Sequence, residues 1–164
     1  MVENGGRLRG LEYLCSEATI LFLQETLIPA AYQHLHLLDV KEDPGAFGVL
    51  GSSAGGLMAL YTGLRLPYIF GRVLAQSGAY SLHGIDFTVW DLARQIDPAL
   101  VKIWMDAGSY EFLVDCNRRM AQLLGERGFQ GDYHEYHGGH NYPAWRNDLE
   151  NGLEYLYGYS AGIK

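Results

Sequence analysis

The chain has 164 residues, 48% of them hydrophobic and 19% charged, a composition far from disorder. A chain of this size buries roughly 70% of its unfolded surface in one core. Nineteen acidic residues against 12 basic ones leave a net charge of −7, which excludes a basic nucleic-acid footprint. No apolar run approaches the ~20 residues of a membrane span, and no G-x-x-x-x-G-K-[S/T] phosphate loop occurs. Cys15 and Cys116 are too few and too separated for a metal site or a disulfide scaffold and read as packed thiols. No basic-then-apolar signal opens the chain, so a cytoplasmic location is the expectation unless Met1 is an internal start.

The first element is a helix over Ser16–Leu35, whose stretch Ile20–Ile28 is apolar on much of its circumference, as in a helix packed onto a sheet. Asp43-Pro44-Gly45 forms a turn into the apolar run Ala46–Leu50, a buried strand. Gly55–Leu64 reads as a helix with Leu57, Leu60, Tyr61 and Leu64 on one stripe. Between strand and helix stands Gly51-Ser52-Ser53-Ala54-Gly55-Gly56. This is the G-x-S-x-G nucleophile-elbow pattern, a sharp turn that thrusts a serine hydroxyl out at the top of a sheet. A side chain at Gly51 or Gly55 is expected to collide with neighbouring backbone, and Gly56 lets the helix pack close to the strand. The amide of Ala54 falls at the helix N-terminus, where an oxyanion is held.

Further strands are expected at Arg72–Gln76, Val101–Asp106 and Asp132–Tyr136, with helices at Phe87–Gln95, Glu111–Gly125 and Tyr142–Tyr157. A serine needs a base and an orienting acid. Among six histidines, His34 and His36 lie near the end of a helical run, His83 in a loop, and His134 within a strand. His137 is the rival, but Gly138-Gly139 directly before His140 suits a tip loop that swings toward Ser53. For the acid, Glu111 lies in the loop beyond a strand's carboxyl end. Asp115 is second, since it also suits a first-turn helix carboxylate. Asp106, at the strand's end, suits packing or hydrogen bonding to loop amides. Tyr80, Trp90, Tyr110, Tyr142 and Trp145 fall in or near loops on the same side. Tyr80, Tyr110 and Trp145 are the candidate substrate contacts, Trp145 also as an anchor for the helix after His140.

Leu27-Ile28-Pro29, Gly51 to Gly56, Ala75-Gln76-Ser77-Gly78, Ala107-Gly108 followed by Glu111, and Gly138-Gly139-His140 with Trp145 together resemble the α/β-hydrolase putative-esterase family. That family contains enterochelin esterases, feruloyl and acetylxylan esterases, and esterase D-like enzymes. The resemblance runs from about Arg7 to Leu156. It implies an α/β-hydrolase-like three-layer sandwich with a mostly parallel sheet, in a single partial domain lacking the N-terminal strands. It also implies a serine esterase acting on a small-molecule carboxylic ester through an acyl-enzyme, with Ser53 as nucleophile, His140 as base and Glu111 as acid. No metal or organic cofactor and no nucleic-acid or membrane partner is implied. Asn141 stands where the family often has Asp, at a position that is not catalytic.

In the family a second oxyanion donor comes from a loop after an early strand, upstream of the portion resembled here. The strand before Ser53 then becomes an exposed edge, and self-association covering that edge is expected. The alternative reading is a catalytically impaired hydrolase fragment that serves binding or assembly.

Overall fold

The computed structural model describes residues 9–158; Arg7, where the resemblance begins, lies outside them. Strands β1 (Gly48–Ser52), β2 (Arg72–Gln76), β5 (Lys102–Gly108) and β6 (Gln130–Tyr136) form one sheet in the order β1-β2-β5-β6, every pair parallel. Helices α1 (Arg9–Tyr13), α2 (Glu17–Phe22), α3 (Ile28–His34), α4 (Ala54–Arg65), α5 (Val89–Gln95), α6 (Val114–Arg127) and α7 (Tyr142–Tyr157) accompany it. A two-stranded antiparallel hairpin, β3 (Ser81–Leu82) and β4 (Ile85–Asp86), follows β2. Its turn residues His83 and Gly84 both have positive φ, 50° and 78°, as a two-residue hairpin turn matched to strand twist requires. Among the described residues, no helix is long and apolar enough to cross a membrane.

The parallel pleat splits the sheet into two unequal faces. Val73, Ala75, Ile103 and Met105 point to the side of α4, α5 and α6, where they bury against Leu57, Leu60, Leu64 and Met120. Helix α4 is enclosed on every side from Gly56 to Leu64, more fully than a single apolar stripe requires. Leu74 and Trp104 point the other way and are covered by α7 through Leu156 and Leu149. Two helical layers with a parallel sheet between them make the three-layer α/β sandwich that βα alternation favours.

Two sequence expectations are corrected. The segment after Ser16 does not pack on the sheet. It runs as α2, a π-helical turn at Leu23–Leu27 and α3, with Ile20 alone buried and Leu21, Phe22 and Leu27 exposed. Beside the buried Ile20, its tether to the body is polar: Glu17 pairs with Arg65 at 2.9 Å and accepts a hydrogen bond from Tyr61. The apolar pattern reports that such a helix needs a partner surface, not which surface is present. The strand before Ser53 is also shifted, to Gly48–Ser52, because the ladder to β2 continues until Ser52 opposes Gln76. It is one edge of the sheet, and Leu50, on the α7 face but left uncovered by α7, is 59% exposed.

Core and surface are therefore separable by mutation. Leu60→Ala, in the fully buried middle of α4, is expected to cost about 2–5 kcal/mol in urea unfolding. Leu21→Ala, on the exposed helix, should stay within about 0.5 kcal/mol of the parent.

Candidate active site

Ser53 joins β1 to α4 with φ 61° and ψ −123°, a conformation that persists in a non-glycine residue only when the surroundings impose it. Three backbone hydrogen bonds do so. The Ser53 amide donates to the Gln76 carbonyl (2.9 Å), and the Ser53 carbonyl accepts from the amides of Leu57 and Ala79, both at 3.1 Å. Ser53 occupies the N-cap of α4, yet its hydroxyl makes no capping bond. It lies instead 2.9 Å from His140 Nε2. Ala54 opens α4, so its amide has no acceptor within the helix and lies at the positive end of the helix dipole.

The glycines of this turn are not equivalent. A Cβ at Gly51 would overlap the Gly55 carbonyl, and one at Gly56 would lie 2.8 Å from the Gln76 oxygen. At Gly55 a Cβ meets nothing within 4 Å, which corrects the expectation that a side chain there collides with backbone. The close approach is made by the strand residue, while Gly55 turns its vacant side to open space.

His140 reaches Ser53 because β6 and β5 end together. The Ser109 amide donates to the Tyr136 carbonyl (2.9 Å), and the Tyr110 amide donates to the Gly138 carbonyl (3.0 Å). Gly108 admits this crossing, since a Cβ there would overlap the Gly138 carbonyl. Asn141 then caps α7, its Oδ1 accepting from the Ala144 amide at 3.1 Å. Glu111, in the loop after β5, has a fully buried side chain whose Oε2 lies 3.0 Å from His140 Nδ1. Its other oxygen is buried without a partner among the described residues.

The structure thus brings Ser53, His140 and Glu111 into one chain of contacts. In that arrangement the carboxylate fixes the imidazole tautomer with Nδ1 protonated, leaving Nε2 to accept from the serine hydroxyl. Asp115 stands apart on α6, 86% exposed at its side chain and paired with Arg118. His137 is exposed and lies 3.4 Å from the Tyr110 hydroxyl, and His134 pairs with Asp148.

Aromatic residues divide sharply. Tyr80 is fully buried in the main core and Trp90 nearly so, with the Trp90 indole N–H donating to the Tyr80 carbonyl at 3.0 Å. This corrects the placement of Tyr80 among substrate contacts and of Trp90 near the site: both residues leave the loop inward. Tyr110 and Tyr142 are exposed. The His140 ring lies between Phe112, itself exposed, with centroids 5.1 Å apart, and the buried Trp145, edge-on at 4.9 Å. A groove lined by Leu50, Ser52, Tyr142, Pro143 and Leu149 runs beside this cluster along β1.

Among the supporting residues, Asn117 carries no sequence signal of its own, whereas Gln76, Ser77 and Trp145 lie in segments the sequence singles out. The buried Asn117 side chain accepts from the Gly78 amide (3.0 Å) and donates to the carbonyls of Gly78 and Leu113, pinning the loop after β2 to α6. Trp145 Nε1 donates to Ser77 Oγ, and Gln76 Nε2 donates to the Trp145 carbonyl, both at 2.9 Å. Burial pushes the Cys15 thiol up to about 11 and raises Cys116 also, so neither is a ready thiolate. Among the described residues, no group of three or more His, Cys, Asp or Glu is arranged to hold a metal ion.

At this turn, Gly51→Ala should lower stability well beyond the effect of Gly55→Ala. The latter is expected within about 0.5 kcal/mol of the parent or more stable, because alanine favours the helix. Paired urea titrations measure the difference.

Known proteins share this architecture. The iron(III) enterobactin esterase of Dickeya dadantii (strain 3937) is 33% identical over 167 residues, covering 92% of this chain and 38% of its own length. The crystal structure of the enterobactin esterase from Shigella flexneri in the presence of enterobactin superimposes with a TM-score of 0.82 at 27% identity, over 95% of this chain and 40% of that one. S-formylglutathione hydrolase from Staphylococcus aureus, at 16% identity and a TM-score of 0.72 over 92% of this chain and 64% of that one, shares the fold. The chain thus spans about two fifths of the length of the enterobactin esterases it matches. The family model described as Putative esterase matches residues 4–156, which takes in every described strand, the Ser53 turn and the His140 loop, and the chain belongs to that family.

Proposed function

We propose that the chain is a serine esterase that hydrolyses a carboxylic ester through an acyl-enzyme. The observation that carries this reading is the pair of contacts on one imidazole, Ser53 Oγ at 2.9 Å from Nε2 and the buried Glu111 at 3.0 Å from Nδ1. His140 takes the Ser53 proton as the hydroxyl attacks the ester carbonyl, and Glu111 stabilises the imidazolium that forms. The Ala54 amide donates to the developing oxyanion. His140 returns the proton to the leaving alcohol, and a water activated by the same imidazole releases the acid. The similarity to enterobactin esterases supports an ester as substrate. Tyr110 and Phe112 form an exposed aromatic rim for the substrate, whereas the buried Trp145 backs the base.

A fluorophosphonate should label the parent stoichiometrically by intact mass and leave Ser53→Ala unlabelled. Glu111→Gln is expected to lower kcat by about 10^3–10^4-fold, while Asp115→Asn leaves it near the parental value. The opposite ranking would reassign the acid.

A second reading, a hydrolase fold used for binding or assembly without turnover, is favoured by the bare outer edge of β1, to which no described strand pairs. Absence of labelling in a folded sample would select it. Under either reading we propose that a second copy of the chain covers this edge, as free ladder groups and the exposed Leu50 support. Sedimentation should then show a concentration-dependent dimer that Leu50→Lys weakens. A monomer at all concentrations would refute the pairing.

A further inference from the structure

Two carboxylates lie buried together under α7, outside the Ser53–His140–Glu111 cluster. Asp106 Oδ2 accepts from Gln76 Nε2 (2.9 Å) and Trp104 Nε1 (3.2 Å), whereas its Oδ1 is buried with no donor among the described residues. His134, the cross-strand partner of Asp106 on β6, brings Asp148 of α7 to the same face beside it. The Asp148 carboxylate accepts from Asn151 Nδ2 at 2.8 Å and lies 2.8 and 3.0 Å from His134 Nδ1.

Among the described residues, no Lys or Arg faces Asp106. From β2 comes the neutral Gln76, and from β5 itself Trp104. From β6 come Tyr136, whose hydroxyl feels both Asp106 and Asp148, and His134, which is engaged by Asp148. Tyr80 approaches from the opposite face of the sheet. The nearby cations are occupied elsewhere, Lys102 on the Tyr155 carbonyl and ring and Arg146 on Asn147. Adjacent buried carboxylates without a cation between them do not both ionise readily. One shared proton also supplies the donor that Oδ1 lacks.

We propose that Asp106 is a positioning residue whose protonated carboxyl donates to Asp148, tying β5 to α7 and steadying the imidazole of His140. The link to the site is continuous. Gln76 Nε2 bridges Asp106 Oδ2 and the Trp145 carbonyl, Trp145 Nε1 holds Ser77 Oγ, and the Trp145 ring abuts His140. Loss of the proton sets two negative charges against each other beneath the first turns of α7, which carry Trp145 and follow His140 through the single cap residue Asn141. His134, 44% exposed at its side chain, opens the pair to solvent protons. The burial of both carboxylates and their hydrogen bonds do not depend on the esterase reading; the consequence for turnover rests on it.

Burial pushes the Asp106 carboxyl up to about 7, opposed by the Gln76 hydrogen bond and reinforced by the Asp148 charge. The value in the folded chain lies above the ordinary 3.8. Its contribution to stability is therefore complete below that ordinary value and is lost as pH rises through about 7.

Asp106→Asn tests the proposal, because its amide donates to Asp148 while its carbonyl still accepts from Gln76 and Trp104, which locks in the protonated geometry. The Tm of Asp106→Asn minus that of the parent should grow with pH, by on the order of 5 °C between pH 5 and 7, and then level off. Tryptophan fluorescence of the parent, from Trp104 and Trp145 beside the pair, should titrate about pH 7, where the Tm difference levels off, and not in the variant. In Asp148→Asn the transition should move to lower pH. With an ester substrate, kcat of the parent should fall alkaline of about pH 7 while Asp106→Asn keeps its rate. A Tm difference independent of pH, an unshifted transition in Asp148→Asn, or the same alkaline loss in Asp106→Asn would overturn the proposal. If the parent turns over no ester, the esterase reading fails separately, and the melting and fluorescence titrations still decide whether the proton is shared. If Asp106→Asn does not fold, the Asp148→Asn shift decides it.

Discussion

The contact between the buried Glu111 carboxylate and His140 Nδ1 is the interaction on which the candidate site depends. The two residues come from different βα loops, and they meet only because β5 and β6 run parallel in a register that places Gly108 opposite Tyr136. A one-residue slip would turn every side chain of one strand to the other face. The missing Cβ at Gly108 then lets the Gly138 backbone pass across the strand end. With the imidazole held from behind, the strained backbone of Ser53 does the rest, aiming its hydroxyl at Nε2 rather than at the helix it caps.

The sheet's two faces divide the labour. The α4, α5 and α6 side is an apolar core, where burial at roughly 25 cal/mol per Å² supplies the stability that holds strand ends in place. The α7 side is thinner and contains buried polar groups: Gln76, Asp106 and Asp148, with the half-exposed His134 beside them. Such a network gives direction where packing alone would not, because each member accepts only a few partner positions. Gln76 joins both roles, its carbonyl holding the Ser53 amide and its side chain reaching Trp145.

Periodicity made the element order legible. All four strands of the main sheet, and helices near each expected place, appear in the structure, with α7 at the expected Tyr142–Tyr157. The failures share a cause. The helix at Ile20–Ile28 is apolar but leaves Leu21, Phe22 and Leu27 exposed, because an apolar pattern specifies a need for burial and not the surface that meets it. Tyr80 and Trp90 sit in or beside loops in sequence but in the core in space, since the chain after β2 turns inward over Asn117. The small β3–β4 hairpin escaped notice because its strands have two residues each, too few for alternation to register.

What the sequence by itself determined is local: the strand-to-helix turn at Ser53, the glycine pair before His140, the loop position of Glu111 and the alternation of strands with helices. Each is encoded in adjacent residues, through φ preference, period or chain order. Only the tertiary structure decided between Glu111 and Asp115 as the imidazole's partner, because one loop carboxylate is buried against the ring while the other faces solvent. It alone revealed the Asp106–Asp148 pair, joined from residues on β5 and α7. Burial and the hydrogen bonds that answer it depend on neighbours across the sheet, and no local pattern records who those neighbours are.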